Sequence, residues 1–231
     1  MREEDFLKHL SNRLGRPAPL SIPPVRSVIG APDFWKSYQL SHSEQLHKFK
    51  EELEKLGGVV EIFASLDALQ SKLTSVLQEL SPKSIGTWGS QTLAVFQLRD
   101  VLKSYPCQEW DVSETRESLI STFIRADVGI TGVDYAIADT GSIVLMSSPE
   151  KGRSVSLLPS VHIALIRSRQ MRTRMGEVLE EIQTMNSGPG AMPSSINVIT
   201  GPSRSSDIEN DLTIGVHGPV ALFAFILDEG E

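Results

Sequence analysis

The stretch from Asp127 to Arg167, DVGITGVDYAIADTGSIVLMSSPEKGRSVSLLPSVHIALIR, is the densest run of apolar and β-branched residues in the chain. A helix would carry such residues on one stripe with a period of 3.6. Here turn formers interrupt the run every few positions, which divides it into several short strands and makes a sheet the core. Tyr135–Ala138 leads into Asp139-Thr140-Gly141-Ser142, and Ile143–Met146 leads away. Asp and Ser side chains accept from free backbone amides and Gly tolerates positive φ, so this cluster is expected at a hairpin tip. Gly129, Gly132 and Asp134 form an earlier break, and Leu157-Leu158-Pro159-Ser160 a later one before a strand from His162 to Ile166. Thr131, Asp134, Asp139, Thr140, Ser142 and His162 are the polar residues at these breaks and the candidates for meeting a ligand, although turn closure accounts for each one singly.

Around this core the pattern alternates. Leu46, Phe49, Leu53 and Leu56 form a helical stripe closed by Gly57-Gly58, and Val59–Phe63 follows as a strand. Ser65 caps a helix with Leu66, Leu69, Leu73, Val76, Leu77 and Leu80 on one face. A brief strand at Ser84–Gly86 passes through Thr87-Trp88-Gly89 to Ser90, the cap of a helix carrying Ala94, Leu98, Val101 and Leu102. Cys107 belongs to a short strand, Pro106–Val112, as a small hydrophobe. Thr115–Arg125 is helical with Leu119, Ile120, Phe123 and Ile124 inward, and Arg169–Gln183 is helical with Met171, Met175, Val178, Leu179 and Ile182 inward. Ile196–Thr200 and Ala221–Leu227 read as strands and Ser203–Glu209 as a helical turn. Strand–helix alternation implies parallel crossovers, hence an open, mostly parallel α/β sheet flanked by helices.

The N-terminal 33 residues differ. Phe6, Leu7, Leu10 and Leu14 share one helical face ended by Gly15, and five of the 13 prolines (Pro17, Pro19, Pro23, Pro24, Pro32) follow as an extended strap. The expected organisation is therefore residues 1–33 as a helical extension and 34–231 as one α/β domain.

With 22 Lys and Arg against 29 Asp and Glu, the formal charge is −7, which excludes unselective binding to nucleic acid or an anionic membrane over the whole surface. The charged N-terminus lacks the apolar core of a signal peptide, and no run is long enough to cross a bilayer, so a cytosolic protein is expected. A lone cysteine cannot form an internal disulfide or hold an iron–sulfur cluster that takes four thiolates. The five histidines, His42 and His47 read as solvated among them, lack metal-site spacing, and no nucleophile elbow occurs. No cofactor or metal is assigned.

Two loops have the chemistry for an anion. Ile85-Gly86-Thr87-Trp88-Gly89-Ser90 joins a strand to a helix start, where glycine permits close approach and free amides attract negative charge, although a plain tight turn is the more common reason for such glycines. Thr200-Gly201-Pro202-Ser203-Arg204-Ser205-Ser206-Asp207-Ile208-Glu209 follows a β-branched strand. A capping box accounts for Ser206 and Glu209 but not for Arg204, whose planar fork suits a carboxylate or phosphate. His217 sits between Gly215 and Gly218 in a turn, as a loop hydrogen-bonder or general base. The cations Arg167, Arg169, Arg172 and Arg174 ahead of Glu177, Glu180 and Glu181 oppose a helix dipole. They mark either an anion site or a solvated, internally paired face.

Taken together, GITGVDYAIADTGSIVL, SLLPSVHIALI, ITGPSRSSDIE and GVHGP resemble the lactate-utilisation (LUD) domain family, specifically its lactate utilisation protein C type, with IGTWGS as a further point of agreement. The resemblance implies a fold like that of the sugar-phosphate isomerases and CoA transferases, with ligands at loops following strands. It implies a part in oxidising L-lactate to pyruvate beside iron–sulfur partner proteins. The family's motif positions fall on Gly86, Ser90, Thr131, Gly132, Asp134, Asp139, Thr140, Gly141, Ser142, Pro159, His162, Gly201, Pro202, Ser203, Arg204, Asp207, Glu209, His217, Gly218 and Pro219. On that basis a small carboxylate or phosphate-like anion is expected at Arg204 and the Ser203 amide, with Asp139–Ser142 and His217 shaping the pocket. Asp139, His217 and Glu209 are the candidate acid–base groups. The competing readings are a CoA-transferase-like or isomerase-like enzyme using Asp134, Asp139 or Glu209, and a sensing or assembly module without chemistry.

Overall fold

The computed structural model describes residues 2–20, 36–185, 192–206 and 212–230. The chain divides into two compact units, Met1–Phe34 and Trp35–Glu231. The first holds helix α1 (Glu3–Arg13), whose acidic first turn and Arg13 in the last turn complement its dipole. Gly15, at φ +67°, stands just beyond its end.

The second unit opens with α2 (His42–Lys55), which a reciprocal cap starts: the Glu44 amide donates to Ser41 Oγ at 3.4 Å and the Ser41 amide to Glu44 Oε2 at 2.8 Å. Leu46, Phe49 and Leu53 on its inner face are buried. Ser41→Ala is expected to lower the melting temperature by about 3 °C, a cap's worth of stability in a domain of this size, as read in a thermal melt. Then follow β1 (Val59–Phe63), α3 (Leu66–Leu80), β2 (Ile85–Thr87), α4 (Arg99–Leu102), β3 (Cys107–Glu109), α5 (Arg116–Phe123), β4 (Val128–Gly132), β5 (Tyr135–Ile137) and β6 (Ser142–Met146). They are succeeded by α6 (Ser154–Leu157), β7 (Val161–Arg167), β8 (Met171–Arg172), α7 (Met175–Met185), β9 (Ile196–Ile199), β10 (Arg204–Ser206), β11 (Leu212–Ile214) and β12 (Ala221–Leu227).

Six of these strands form one parallel sheet in the order β1-β12-β7-β4-β2-β3. Its central strands are apolar almost without a break because helices and a second sheet cover both faces: all of β4, and β7 from Val161 to Ile166, are buried. The expected parallel α/β architecture is thus the observed one. The hairpin at Asp139–Ser142 also forms, β5 pairing antiparallel with β6. It builds a second, four-stranded sheet, β8-β5-β6-β9, for which local pattern offers no cue.

Several local expectations give way to tertiary contacts. The helix after Ser90 is broken into a 3-10 turn, Ala94–Phe96, and the short α4, because Gln97 takes φ +48° and its neighbours fold back. The helix placed at Arg169–Gln183 begins only at Met175, since Met171 and Arg172 pair with β5 as β8. Most of the arginine run therefore lies outside a helix and opposes no dipole. Arg167 pairs with Glu229, Arg172 with Glu181 and Arg174 with Asp139. The helical turn expected at Ser203–Glu209 is instead β10, paired antiparallel with β11, so no helix amides stand beside Arg204. Asp207 and Glu209, and with them the Ser206–Glu209 capping box, lie outside the described residues, as do Pro23, Pro24 and Pro32 of the strap. Ile120, Ile124 and Leu179, read as inward, are exposed, and so is Cys107 on the edge strand β3. His42 is not simply solvated: its Nε2 lies 2.7 Å from Asp228 Oδ1, which ties the start of α2 to the end of β12 and holds the Asp228 carboxyl below the usual range.

Candidate functional site

A cleft of about 460 Å³ opens beside the start of β7, between the parallel sheet, β9 and the β10–β11 hairpin. His162, Ser203, Arg204, His217 and Gly218 all line it, joined by Ser156 and Thr200. Five residues singled out in three separate stretches of sequence thus meet in one place.

His162 is the second residue of β7, in register with Gly129 on β4 and Leu222 on β12. Its ring is 1 % exposed and its Nε2 lies 2.9 Å from Thr131 Oγ1 of the neighbouring strand. Nδ1 has no hydrogen-bond partner among the described residues. Burial pushes the imidazole pKa down from 6.5 to about 3, so the ring is neutral at pH 7. Gly129 lets α6 approach: a Cβ there would fall 1.9 Å from the Val155 carbonyl oxygen. That close approach brings Ser156 and Leu157 into the cleft wall.

The opposite wall hangs on Ser203. Its amide donates to the Pro219 carbonyl, its carbonyl accepts from the Gly215 amide, each at 2.9 Å, and its Oγ accepts from the His217 amide at 3.2 Å. The two loops are thereby locked together, with His217 exposed at the rim. Arg204 is also exposed, and its guanidinium donates to the Leu56 carbonyl at the end of α2, the place where a cation satisfies a helix's last acceptors. Arg204 brings a fixed positive charge to this cleft and no carboxylate stands among its described lining residues, so its field favours an anion.

The remaining candidates are placed elsewhere. Ser142 reaches the cleft only through a relay: Thr140 Oγ1 lies 2.8 Å from Ser142 Oγ, which lies 2.8 Å from Thr200 Oγ1. Asp139 and Gly141 face α2 and β8. Asp139 receives the Arg174 Nε at 3.6 Å, and its amide donates to the Thr173 carbonyl. Gly141, at φ +60°, stands where a Cβ would be 2.3 Å from the Leu53 nitrogen. Gly86 serves packing, since a Cβ there would strike the Phe123 ring at 2.6 Å, and the Ser90 amide donates to Glu109 Oε1. Asp134 accepts from the Met146 amide and from Lys151 Nζ. Ser156 and Thr200 carried no signal of their own in the sequence, because a serine in a turn and a threonine ending a strand are ordinary there.

A parallel α/β sheet with a second small sheet packed beside it defines the class. A solved structure of a DUF162 family protein from Deinococcus radiodurans shares that fold, with a TM-score of 0.57 at 21 % identity, covering 81 % of this chain and 99 % of that one. The LUD domain family model matches residues 46–227, and the chain belongs to that family. Within it the chain is similar to proteins named lactate utilization protein C. One from Halalkalibacterium halodurans is 33 % identical over 228 residues, 99 % of this chain and 98 % of the relative. One from Shouchella clausii is 33 % identical over 98 % and 97 %, and one from Bacillus subtilis 44 % identical over 53 % and 50 %. Among the described residues no helix is long and apolar enough to cross a membrane.

Proposed function

We propose that this chain acts in lactate utilisation as a non-redox subunit that holds a small carboxylate in the cleft at the start of β7, while iron–sulfur partner proteins take the electrons as L-lactate becomes pyruvate. The observation that carries this reading is the convergence of His162, Ser203, Arg204 and His217 on one cleft whose described lining residues include no carboxylate. Arg204 has more N–H groups than its bond to Leu56 uses, and these suit a carboxylate at the rim. A neutral, buried imidazole suits the uncharged hydroxyl or carbonyl beside that carboxylate. Oxidising lactate removes one hydroxyl proton, one C–H proton and two electrons. A single cysteine provides too few thiolates for a cluster of the usual kind, so the electrons would leave through partner polypeptides. The names of the relatives support the substrate, and the charge of the cleft supports the binding role.

A ligand that binds only the folded state raises its melting temperature. L-Lactate or pyruvate is expected to raise that of the full-length chain, and Arg204→Ala to weaken the apparent affinity about tenfold, the worth of one charge-assisted contact. Equal stabilisation of both proteins, together with undiminished lactate-dependent growth of cells carrying Arg204→Ala, would sink the assignment.

A further inference from the structure

A second cleft, of about 490 Å³, opens where β2, β4 and β7 end, lined by Trp88, Gly132, Leu165 and Arg167 among others. In the strand order β1-β12-β7-β4-β2-β3 the chain runs outward from β2 to β3 and then returns to β4 on the other side of β2. The strand order therefore reverses between β2 and β4, and a crevice outside the carboxyl ends of strands at such a point is where open α/β sheets hold ligands.

Its polar inventory is unbalanced. Lys151 gives one N–H to Asp134 Oδ1 at 2.5 Å, and Arg167 grips Glu229 through Nε and Nη2 at 2.5 to 3.0 Å. Arg169 reaches the same carboxylate only at 3.8 Å, with its side chain 64 % exposed, and makes no side-chain hydrogen bond among the described residues. Among the described residues three cations therefore share two carboxylates, and unused donors remain on Lys151, on Arg167 at Nη1 and Nη2, and on the guanidinium of Arg169. The turn that carries Lys151 is held: Trp88 Nε1 donates to the Gly152 carbonyl at 3.1 Å, and the ammonium lies 5.5 Å from the Trp88 ring centre. Beside these donors the accessible apolar wall is Ala94 and Val95, which lie over the buried Phe96 and Leu165. The space is many times that of one water, so an anion alone would leave most of it unfilled.

We propose that this cleft is a second ligand site, taking a small organic molecule with an oxyanion of three acceptor oxygens, of the phosphate-monoester kind, its carbon body against Ala94 and Val95. Arg169 and Lys151 bind the oxygens. His162 and Arg167 stand five positions apart on β7, about 16 Å along the strand, so this site is separate from the carboxylate cleft and stands whether or not that reading does.

The test is calorimetric titration of the full-length chain with glycerol phosphate and with inorganic phosphate, in the natural sequence and in Arg169→Glu, Lys151→Gln and Arg204→Ala. The ester is expected to bind the natural chain and Arg204→Ala alike, and Arg169→Glu and Lys151→Gln at least about tenfold more weakly. The bare ion is expected to bind more weakly than the ester. No binding of either anion to the natural chain would overturn the site. So would an unchanged affinity in Arg169→Glu, or a loss confined to Arg204→Ala. Equal affinity for ion and ester would overturn the apolar half of the assignment. The exposed position of Arg169 keeps its variant folded, which an unshifted ligand-free melting temperature checks, and that variant decides the matter should Lys151→Gln unfold.

Discussion

Acid is expected to destabilise the protein by about 2.5 kcal/mol between pH 7 and pH 4.5 through His162 alone. At pH 7 the imidazole is mostly neutral in both the folded and the unfolded chain. Below its ordinary pKa of 6.5 the unfolded ring takes up a proton, whereas the buried ring resists until about pH 3. The unfolded state therefore binds more protons throughout that window, and stability falls with pH by about 1.4 kcal/mol per unit once well below 6.5. The stabilisation is complete above 6.5 and is lost progressively towards 3. Carboxylates held below their usual range, Asp228 chiefly by His42 and Glu181 chiefly by Arg172 among them, begin to push in the same direction as the unfolded chain's glutamates take up protons near pH 4.5, so comparison with a variant that keeps those carboxylates isolates the histidine. Urea unfolding at a series of pH values, in the natural chain and in His162→Gln, reads the effect. The variant is expected to be weaker at pH 7 but to lose about one proton's worth of pH slope. Identical slopes in the two proteins would mean that the ring titrates normally and is not closed off from water.

Gly129→Ala is expected to cost about 3 kcal/mol, at the upper end of overpacking effects, a large part of a domain's whole stability. The new methyl would be placed 1.9 Å from the Val155 carbonyl oxygen and 3.0 Å from the Pro159 ring, and a backbone carbonyl cannot swing aside as a flexible side chain can. Relief requires α6 to lift from β4, which would also draw Ser156 and Leu157 away from the cleft. Gly132, three residues along the same strand, is the control, because a Cβ there meets nothing closer than 3.6 Å. Denaturant midpoints of the two variants should differ widely. Similar midpoints would show that α6 moves freely and does not set the cleft wall.

Much of the architecture was legible because it is local. The stripe Leu46, Phe49, Leu53 has one way to bury itself as a helix, and α2 does so. Ser65 caps α3 at the residue read from the sequence, and α5 forms within the stretch Thr115–Arg125 read as helical. The Asp139–Gly141 turn closes its hairpin for the reason that its composition suggests. Local pattern failed where a distant partner competed. Met171 and Arg172 have a helical stripe ahead of them but hydrogen-bond to β5, and Arg204–Ser206 follow a strand like a helix start but pair with β11.

For the sites the division is similar. His162, Ser203, Arg204, His217 and Gly218 were marked by residue type, and they meet in one cleft. Asp139 and Gly141 were marked on the same grounds, but a turn that closes a hairpin and packs on α2 has the same composition as one that meets a ligand. Lys151 and Arg169 had no local signal for a shared cleft, since only the return of the chain from β3 to β4 brings them together beside Trp88.

What the sequence by itself determined is the set of elements with their own periodicity, caps and turns, the parallel class of the sheet, and the family, since each rests on residues close along the chain. The tertiary structure alone decided the strand order, the second sheet, which glycines are filled by neighbours, and which charged side chains face a cleft. Those depend on contacts between residues tens of positions apart, such as Thr131 with His162 and Arg204 with Leu56, for which no local pattern of hydrophobicity or charge carries a record.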